Sequence, residues 1–540
     1  MGGSERRAAH PQFTGSIRLA PYDPGVSSVP RGPSRARARP NGLGGLAVAA
    51  IPLLLIPALG VDQGGFLPDA WVWSGALAAW AAALGLVLGE GADRLRGERW
   101  WVLAAGALLV WTLASRLWSA EPAQSVLEAR RMVVYAAVVL ALVVLARRHS
   151  FRLLLAGTHA GITLLVLYAL ARYLLGSRSY VEFEGYLLSE PLGYANAVGI
   201  LSALGILLSV GAAADTASQR LRALASVVIP PLALALYLSG SHASWLALAI
   251  GLAAMTALHR RPQSLLRTAT VPAAAAAAAI LVGRYSGVST LTSPRLSGLV
   301  VALATVGCAL LGAAAVNVSR RDSSPSPRTG RLTLTGAAVV VLLGAITVVS
   351  AGVAEPRSLY YRVAWREFVA HPLLGSGAGT FGHYWLRWGD IGRWGGALDA
   401  HSLYLETLAE LGPVGLCLLV AFLLYPLRRT IEHRSLPFVP AAAGAGVAFL
   451  VHASLDWDWE LPAVVIAGLS CAAVVAFAEP DSGDEAPPPA LPVAARAAAV
   501  AAALLAGAAA IAGARSSTEP SAAPLTTEAP HSGASSRTTI

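Results

Sequence analysis

The 540-residue chain contains no lysine and little charge of any kind. Charged residues make up 13% of it, about half the share of roughly 25% that is usual in soluble domains. Side chains facing water would need far more charge than this. With 55% hydrophobic residues, the composition excludes a string of soluble domains and indicates that most of the surface faces lipid or protein.

Cysteine is also scarce. The three cysteines, Cys308, Cys417 and Cys471, all lie in apolar stretches, and no C-x-x-C spacing occurs. A disulfide framework or a cysteine-based metal site would need paired or closely spaced cysteines. We therefore interpret these three as small buried apolar residues.

Long apolar stretches dominate the chain instead. A helix that crosses a bilayer needs about 20 mostly apolar residues. This length predicts an all-α, polytopic integral membrane protein with about 12–15 transmembrane helices. The fifteen candidate spans are 42–60, 70–89, 100–118, 131–146, 153–175, 192–213, 223–239, 242–258, 268–284, 296–317, 332–352, 403–427, 437–453, 460–478 and 491–513.

The arginines predict the orientation of these spans. Arginine is enriched in the loops that face the cytoplasm, and here it clusters in alternate loops and in the first 41 residues. The pattern places the N-terminus in the cytoplasm and needs no nucleic-acid partner to explain the net charge of +10. The predicted regions are a disordered Arg-rich cytoplasmic tail (1–41), N-terminal transmembrane helices (42–352), a long external loop with short helices (353–402), C-terminal transmembrane helices (403–478), an acidic Pro-rich linker (479–490), a possible extra transmembrane helix (491–513) and a disordered tail (514–540).

The external loop departs from this arginine pattern and is the first candidate site. Residues 357–370 are predicted to form one helix that ends before His371-Pro372, with Arg362 and Arg366 four residues apart on one face. Two guanidinium groups so placed suit a diphosphate, because each can bind two oxygens. The alternative is that both arginines extend to lipid headgroups.

Two further features of the loop follow this helix. Alternating glycines in GSGAGTFG, 375–382, indicate either a flexible connector or a backbone that approaches a phosphate group closely. His401, with Asp399 two residues ahead, precedes the span 403–427 and can act as a general base near neutral pH. A structural role for this histidine is the alternative.

Polar residues within or beside the spans complete the candidate set. Asn196 lies near the outer end of the span 192–213, where a polar side chain serves either function or helix–helix hydrogen bonding. Glu406 follows His401 by five residues and is a candidate partner for it or for the arginines. The Asp-x-Asp of 456–458 is typical of nucleotide-sugar metal sites, but its external position favours pairing with arginines.

Together these motifs resemble the O-antigen ligase and O-antigen polymerase superfamily of bacterial membrane glycosyltransferases. The ligases carry His-[Asn/Ser/Gln], nine residues, then Gly-x-x-Gly, which stands here as His401-Ser402, LYLETLAEL and GPVG, 412–415. RVAWREFVAHPLLGSGAGTF is similar to the family's Arg…W…HP-x-x-G-x-G-x-x-F segment and places Arg362 on its functional arginine. LWSAEPAQS (117–125) and PLGYANAVGI (191–200) also resemble family segments, so the resemblance covers roughly 100–478.

The chain also departs from the family pattern. A Ser-Arg-Gly motif of the family stands here as Ser241-His242-Ala243. His242 and Arg366 are the candidates to substitute for the missing arginine. The family usually has about twelve spans, and this sequence predicts more.

The resemblance implies a glycosyltransferase at the outer face of the plasma membrane. The implied donor is a glycan on a polyprenyl diphosphate, and the acceptor is a hydroxyl on a glycan, lipid or protein, with no metal or other cofactor. His401 would be the base and Arg362 would stabilise the diphosphate, while Arg366, His242, Asn196, Asp399 and Glu406 would bind substrate. A polytopic transporter or flippase for a lipid-linked glycan or small anion is the alternative.

Overall fold

The computed structural model describes residues 43–88, 92–147, 150–176, 185–288, 295–319 and 355–479, together with isolated positions near the two chain ends. Over these residues the chain is built from α-helices joined by short turns. The helices are α1 (Leu43–Val61), α2 (Pro68–Val87), α3 (Ala92–Gly97), α4 (Arg99–Ala114), α5 (Pro122–Leu145), α6 (Phe151–Leu175), α7 (Ala195–Asp215), α8 (Gln219–Val227), α9 (Ile229–Leu238), α10 (His242–Leu258), α11 (Pro262–Tyr285), α12 (Arg295–Ser319), α13 (Glu355–Ala370), α14 (Phe381–Trp388), α15 (Ile391–Trp394), α16 (Leu403–His433), α17 (Val439–His452) and α18 (Pro462–Ala476).

The predicted all-α multi-pass architecture is confirmed. Among the described residues, eight helical segments are long and apolar enough to cross a membrane, and four shorter helices are similarly apolar. Each predicted span that falls on described residues coincides with a helix, except that 223–239 covers the end of α8 and all of α9. The predicted spans 332–352 and 491–513 lie wholly or mostly outside the described residues, as do the two predicted tails and nearly all of the predicted linker.

The largest difference from the predicted spans concerns α5. The sequence predicted a short span at 131–146, but the helix begins at Pro122. The early part was missed because its charges resemble those of a loop. In the structure Arg131 is buried and forms ion pairs with Glu128, one turn earlier on the helix, and with Glu460 at 2.8 Å. Paired charges of this kind allow a charged turn to be buried.

The helix ends gather at two opposite faces of the bundle, as the alternating loops predicted. At one face, here the Asp215 face, Asp215 contacts His259 at 3.0 Å and accepts the Phe438 N–H at 2.6 Å. At the other, here the His401 face, the Leu403 N–H donates to the Ala453 carbonyl at 2.9 Å. The stretches that meet at the His401 face are 62–67, 115–121, 239–241, 371–402 and 453–461.

Small residues bring neighbouring helices into close contact. Gly157 and Gly161 of α6 pack directly on the backbone of α1, with no room for a Cβ at either position. Gly251 of α10 and Gly444 of α17 face each other in the same way. Glycines at such spacings are typical of helix packing in membranes, where close backbone approach replaces the hydrophobic drive available in water.

A break in α16 sets the geometry of the His401 face. Gly412 has φ 67° and ψ −173°, so the helix is interrupted one turn before the second glycine of the GPVG motif. The break frees backbone carbonyls that would otherwise accept hydrogen bonds within the helix. The Leu411 carbonyl accepts from the Trp111 indole at 2.9 Å, and the carbonyls of Ala409 and Glu410 accept from the Ser376 and Gly377 N–H groups at 3.2 and 2.8 Å.

The close packing of the glycine segment, 375–382, on the broken helix α16 can be tested at Gly375. Its φ is +75°, and an added Cβ would overlap the carbonyl of Glu410. Left-handed backbone costs a non-glycine residue about 1–2 kcal/mol before any overlap. We therefore expect Gly375→Ala to lower the thermal transition temperature of the detergent-purified protein by several degrees. Gly446→Ala, at a helical position with open space around it, should leave that temperature unchanged or slightly higher, and equal transitions for the two variants would contradict the packing.

Candidate functional site

The glycine segment is fully engaged with its surroundings. Besides the two bonds to the carbonyls of α16, the Gly379 and Phe381 N–H groups donate to the Glu410 carboxylate at 2.8 and 2.9 Å. The Ala378 N–H donates to the Ser115 hydroxyl at 3.1 Å. A phosphate would need these amides free, so the segment is neither a phosphate cradle nor a loose connector. Its glycines serve close packing.

Three buried glutamates bind the 371–402 segment. Glu410 binds the two amides just described, and Glu406 accepts the Ala400 N–H at 2.6 Å. Glu367 of α13 accepts from the hydroxyls of Ser376 at 2.6 Å and Thr380 at 3.0 Å. Glu406 was predicted to pair with His401 or with the arginines. Among the described contacts it instead fixes the backbone immediately before His401.

Burial gives Glu367 an unusual pKa. Its side chain is fully buried, and its Oε2 atom has no hydrogen-bond partner among the described residues. Burial raises the pKa of Glu367 to about 7, although the hydrogen bonds from Ser376 and Thr380 act in the opposite direction. A carboxyl group so placed is most stable in its protonated form.

Helical periodicity could have identified Glu367 from the sequence. Tyr360, Val363, Ala364 and Glu367 follow the i, i+3, i+4, i+7 spacing of one helix face. The structure places this face of α13 against the rest of the site, with Val363, Ala364 and Glu367 buried. A charged residue on an otherwise apolar, buried helix face indicates that its charged group lies in an unusual environment.

His401 lies at the end of the 371–402 segment, two residues before α16 begins. Its Nδ1 atom is 2.6 Å from Oδ1 of Asp399, within ion-pair distance, although the orientation does not give a regular hydrogen bond. The ring of Tyr360 stacks on the imidazole, with centroids 4.7 Å apart. The backbone at His401 has φ +52°, a left-handed conformation that is uncommon outside glycine and often occurs at functional sites.

The charges around His401 favour its protonated form. Burial alone would lower the pKa of His401, but the adjacent Asp399 carboxylate and the more distant Asp456 raise it above the ordinary 6.5. Nε2 makes no hydrogen bond among the described residues, and the side chain is 19% exposed. Asp399 therefore acts on one ring nitrogen and leaves the other available.

The two predicted arginines of α13 do not reach His401 in this structure. Arg362 is exposed and forms no ion pair or hydrogen bond among the described residues. Arg366 is also exposed, and its guanidinium lies 4.6 Å from the ring centroid of Trp388. Both belong to the outer face of the helix, opposite the stripe that contacts His401.

The cation nearest this region is Arg357, which the sequence interpretation did not assign. It forms an ion pair with Asp456 at 3.2 Å. The fully buried Asp456 also accepts from Asn196 at 2.6 Å, from the hydroxyl of Tyr194, and from the Trp457 N–H at 2.9 Å. The prediction that the Asp-x-Asp carboxylates pair with arginines is confirmed for Asp456.

Asn196 and His242 occupy different positions relative to this cluster. Asn196 lies within it, held by Asp456 and by the hydroxyl of Tyr194 at 2.8 Å. The sequence offered helix–helix hydrogen bonding as the alternative to function, and the structure shows Asn196 bonded to a turn between two other helices. His242 begins α10 with its side chain exposed. It is free of such contacts among the described residues.

A second array has the order of a Ser–His–Asp triad. Ser244 Oγ lies 3.0 Å from His452 Nε2, and His452 Nδ1 lies 3.1 Å from Asp458 Oδ2. All three side chains are fully buried, and Gly199 of α7 packs against Ser244. A nucleophile needs space for the carbonyl it attacks. The array therefore joins α10, α17 and the 458–460 turn rather than forming an active site.

An apolar cavity of about 110 Å³ lies beside the broken helix. Its lining comes from α4, α5, α16, α17 and α18 and is mostly hydrocarbon, with Glu128, Glu406 and Glu410 as its charged members. Glu406 and Glu410, which bind the 371–402 segment, thus lie between its polar backbone and an apolar interior.

Comparison with known proteins gives no assignment. No protein-family model matches the chain, and no curated protein is significantly similar to it.

The raised pKa of Glu367 predicts a pH-dependent stability. A folded-state pKa of about 7, above the unfolded value near 4.5, means that the folded protein binds the extra proton between these values. Stability should therefore be greatest at the acidic end of this window and should fall as pH rises toward 7. Glu367→Gln, which stays neutral, should reduce this fall in thermal melts.

The control for this measurement is Glu190→Gln, at a half-exposed glutamate. It should melt with the pH dependence of the unmodified protein. A Glu367→Gln variant that loses stability with pH as steeply as the unmodified protein would contradict the assignment.

Proposed function

We propose that this protein is a membrane glycosyltransferase that moves a glycan from a polyprenyl diphosphate to an acceptor hydroxyl, as an O-antigen ligase or a polysaccharide polymerase does. The observation that carries the proposal is the His401–Asp399 pair, with its free Nε2, on a face rich in arginine. The ordered motifs around His401, Gly412 and Arg362 favour this reaction over other chemistry at a histidine.

His401 would act as the general base. The acceptor O–H gives its proton to Nε2 while its oxygen forms a bond to the anomeric carbon. The bond from that carbon to the diphosphate oxygen breaks, and its electron pair leaves with the diphosphate. Asp399 stabilises the imidazolium that results, because its carboxylate lies against Nδ1. A single displacement of this kind inverts the anomeric centre.

Arg362 would stabilise the departing diphosphate. Its guanidinium is exposed and unpaired among the described residues, so an anion can bind it without displacing a carboxylate. Charge-assisted contacts of arginine with phosphate oxygens are among the stronger polar interactions in proteins. Arg366, stacked on Trp388, would add positive charge at the same outer face of α13.

The proposal places the His401 face outside the plasma membrane and the arginine-rich N-terminus in the cytoplasm. The partners in this arrangement are the lipid bilayer, a polyprenyl diphosphate-linked glycan and a glycan, lipid or protein acceptor. The alternative, a transporter or flippase, needs two separated compartments. Transfer by purified protein in detergent would therefore distinguish the two functions.

The decisive variant is His401→Ala. We expect it to abolish product formation from a polyprenyl diphosphate-linked glycan and an acceptor, because the proton of the attacking hydroxyl then has no acceptor. Loss of a general base typically costs 10²–10⁴-fold in rate. The measurement is the initial rate of glycan transfer by purified protein in detergent.

The matched control is His383→Ala, at a histidine on the same segment whose side chain is 39% exposed. It should retain activity. A correctly folded His401→Ala protein with unchanged turnover would exclude His401 as the base.

The pH profile tests the role of Asp399. His401 is a base only when neutral, and Asp399 raises its pKa, so activity should rise with pH through a value above 6.5. Asp399→Asn should lower that pKa and move the acidic limb of the rate profile to lower pH. The maximal rate should fall because a weaker base is less effective. An acidic limb at the same pH in both proteins would show that Asp399 does not act through His401.

A further inference from the structure

The carboxylate of Asp456 holds one arginine at the edge of the site. Four groups donate to it or pair with it, from the 194–196 region, from the neighbouring backbone and from α13. A fully buried aspartate with this many partners is fixed in position. Arg357, as one of these partners, is therefore held in position at its guanidinium end.

Arg357 is nevertheless available to a ligand. Its only described polar contact uses Nη2, and a guanidinium has five N–H donors. Its side chain is 29% exposed. The remaining donors can bind phosphate oxygens while the bond to Asp456 stays in place.

Arg357 also lies on the face of α13 that meets the catalytic histidine. Tyr360, one turn further along the helix, stacks on the His401 ring. Burial and the positive charge of Arg357 both lower the pKa of His401, against the larger opposing effect of Asp399, so the guanidinium lies close enough to act on the imidazole. Arg362 lies five residues further along, about 140° around the helix at 100° per residue, and so belongs to another face.

The same cluster also contacts α10. Ser244, in the first turn of α10, lies 3.4 Å from the Asn196 carbonyl through its hydroxyl. The side chain of Asn196 in turn binds the Asp456 oxygen that pairs with Arg357. Ser244 and Arg357 thus hold the Asn196–Asp456 pair from two different helices.

We infer that Arg357, oriented by Asp456, binds the diphosphate of the donor beside His401. This inference rests on the proposed function. Arg366 is less suited to the role because its guanidinium lies on Trp388 at the outer face of α13.

The test measures how tightly the full-length protein in detergent binds a polyprenyl diphosphate that carries no glycan. Tryptophan fluorescence monitors the binding. Arg357→Ala should weaken binding about tenfold or more, as expected for losing a charge-assisted hydrogen bond. Arg357→Lys should lose less binding affinity, because lysine keeps the positive charge but lacks the planar fork of N–H donors of arginine. Arg393→Ala, at an exposed arginine of the same external segment, should bind normally.

A double variant separates binding from folding. Arg357→Ala leaves Asp456 buried without its cation, so Arg357→Ala/Asp456→Asn removes both charges. Binding that stays weak in this protein supports a direct contact, and recovery to normal binding would overturn it. Normal binding by Arg357→Ala would likewise overturn the inference.

These outcomes are distinct from those of the glycan-transfer assay. Arg357-dependent diphosphate binding without glycan transfer would reject the proposed function and leave the anion site standing. Glycan transfer with diphosphate binding that is insensitive to Arg357 would reject only the inference. Absence of diphosphate binding by the unmodified protein would reject the anion site.

Discussion

The interruption of α16 at Gly412 is the constraint on which the His401 face depends. A broken helix inside a membrane protein exposes carbonyls that have no water to bond, at about 1–3 kcal/mol for each unsatisfied group. The glycine segment satisfies two of these carbonyls, and the Trp111 indole satisfies a third. Only glycine at 375 permits that approach. Because the Glu410 carboxylate binds two further amides of the same segment, the segment is joined to the helix that His401 precedes.

The distribution of buried charge distinguishes the His401 face from the rest of the bundle. Buried carboxylates are costly unless hydrogen-bonded or paired, and those at this face are bonded to backbone amides, hydroxyls, histidines or arginines. Glu367, Glu406 and Glu410 bind the loop backbone or its hydroxyls. Asp399 and Asp456 orient a histidine and an arginine. The first group fixes the shape of the loop, and the second positions the groups suited to act on a substrate.

Much of the fold could be predicted because membrane helices are recognisable in the sequence as long apolar runs. The prediction failed at the start of α5, where one of the two carboxylates that pair with the buried Arg131 is that of Glu460, more than 300 residues away. For the site, His401 and Asp399 were found because they are two residues apart. The glycine segment was misjudged, since the sequence does not show which partner occupies its amides. Arg357 was unassigned because its partner, Asp456, is 99 residues away.

The amino-acid sequence by itself determined the helices, their approximate bounds and the presence of a polar segment between spans that ends at a histidine, because these follow from hydropathy and local spacing. Only the tertiary structure decided which charges meet. Arg362 and Arg366 share one face of α13, as their spacing requires, yet the opposite face packs toward His401. The rotation of a helix about its axis depends on what the whole bundle buries, and no local pattern contains that information.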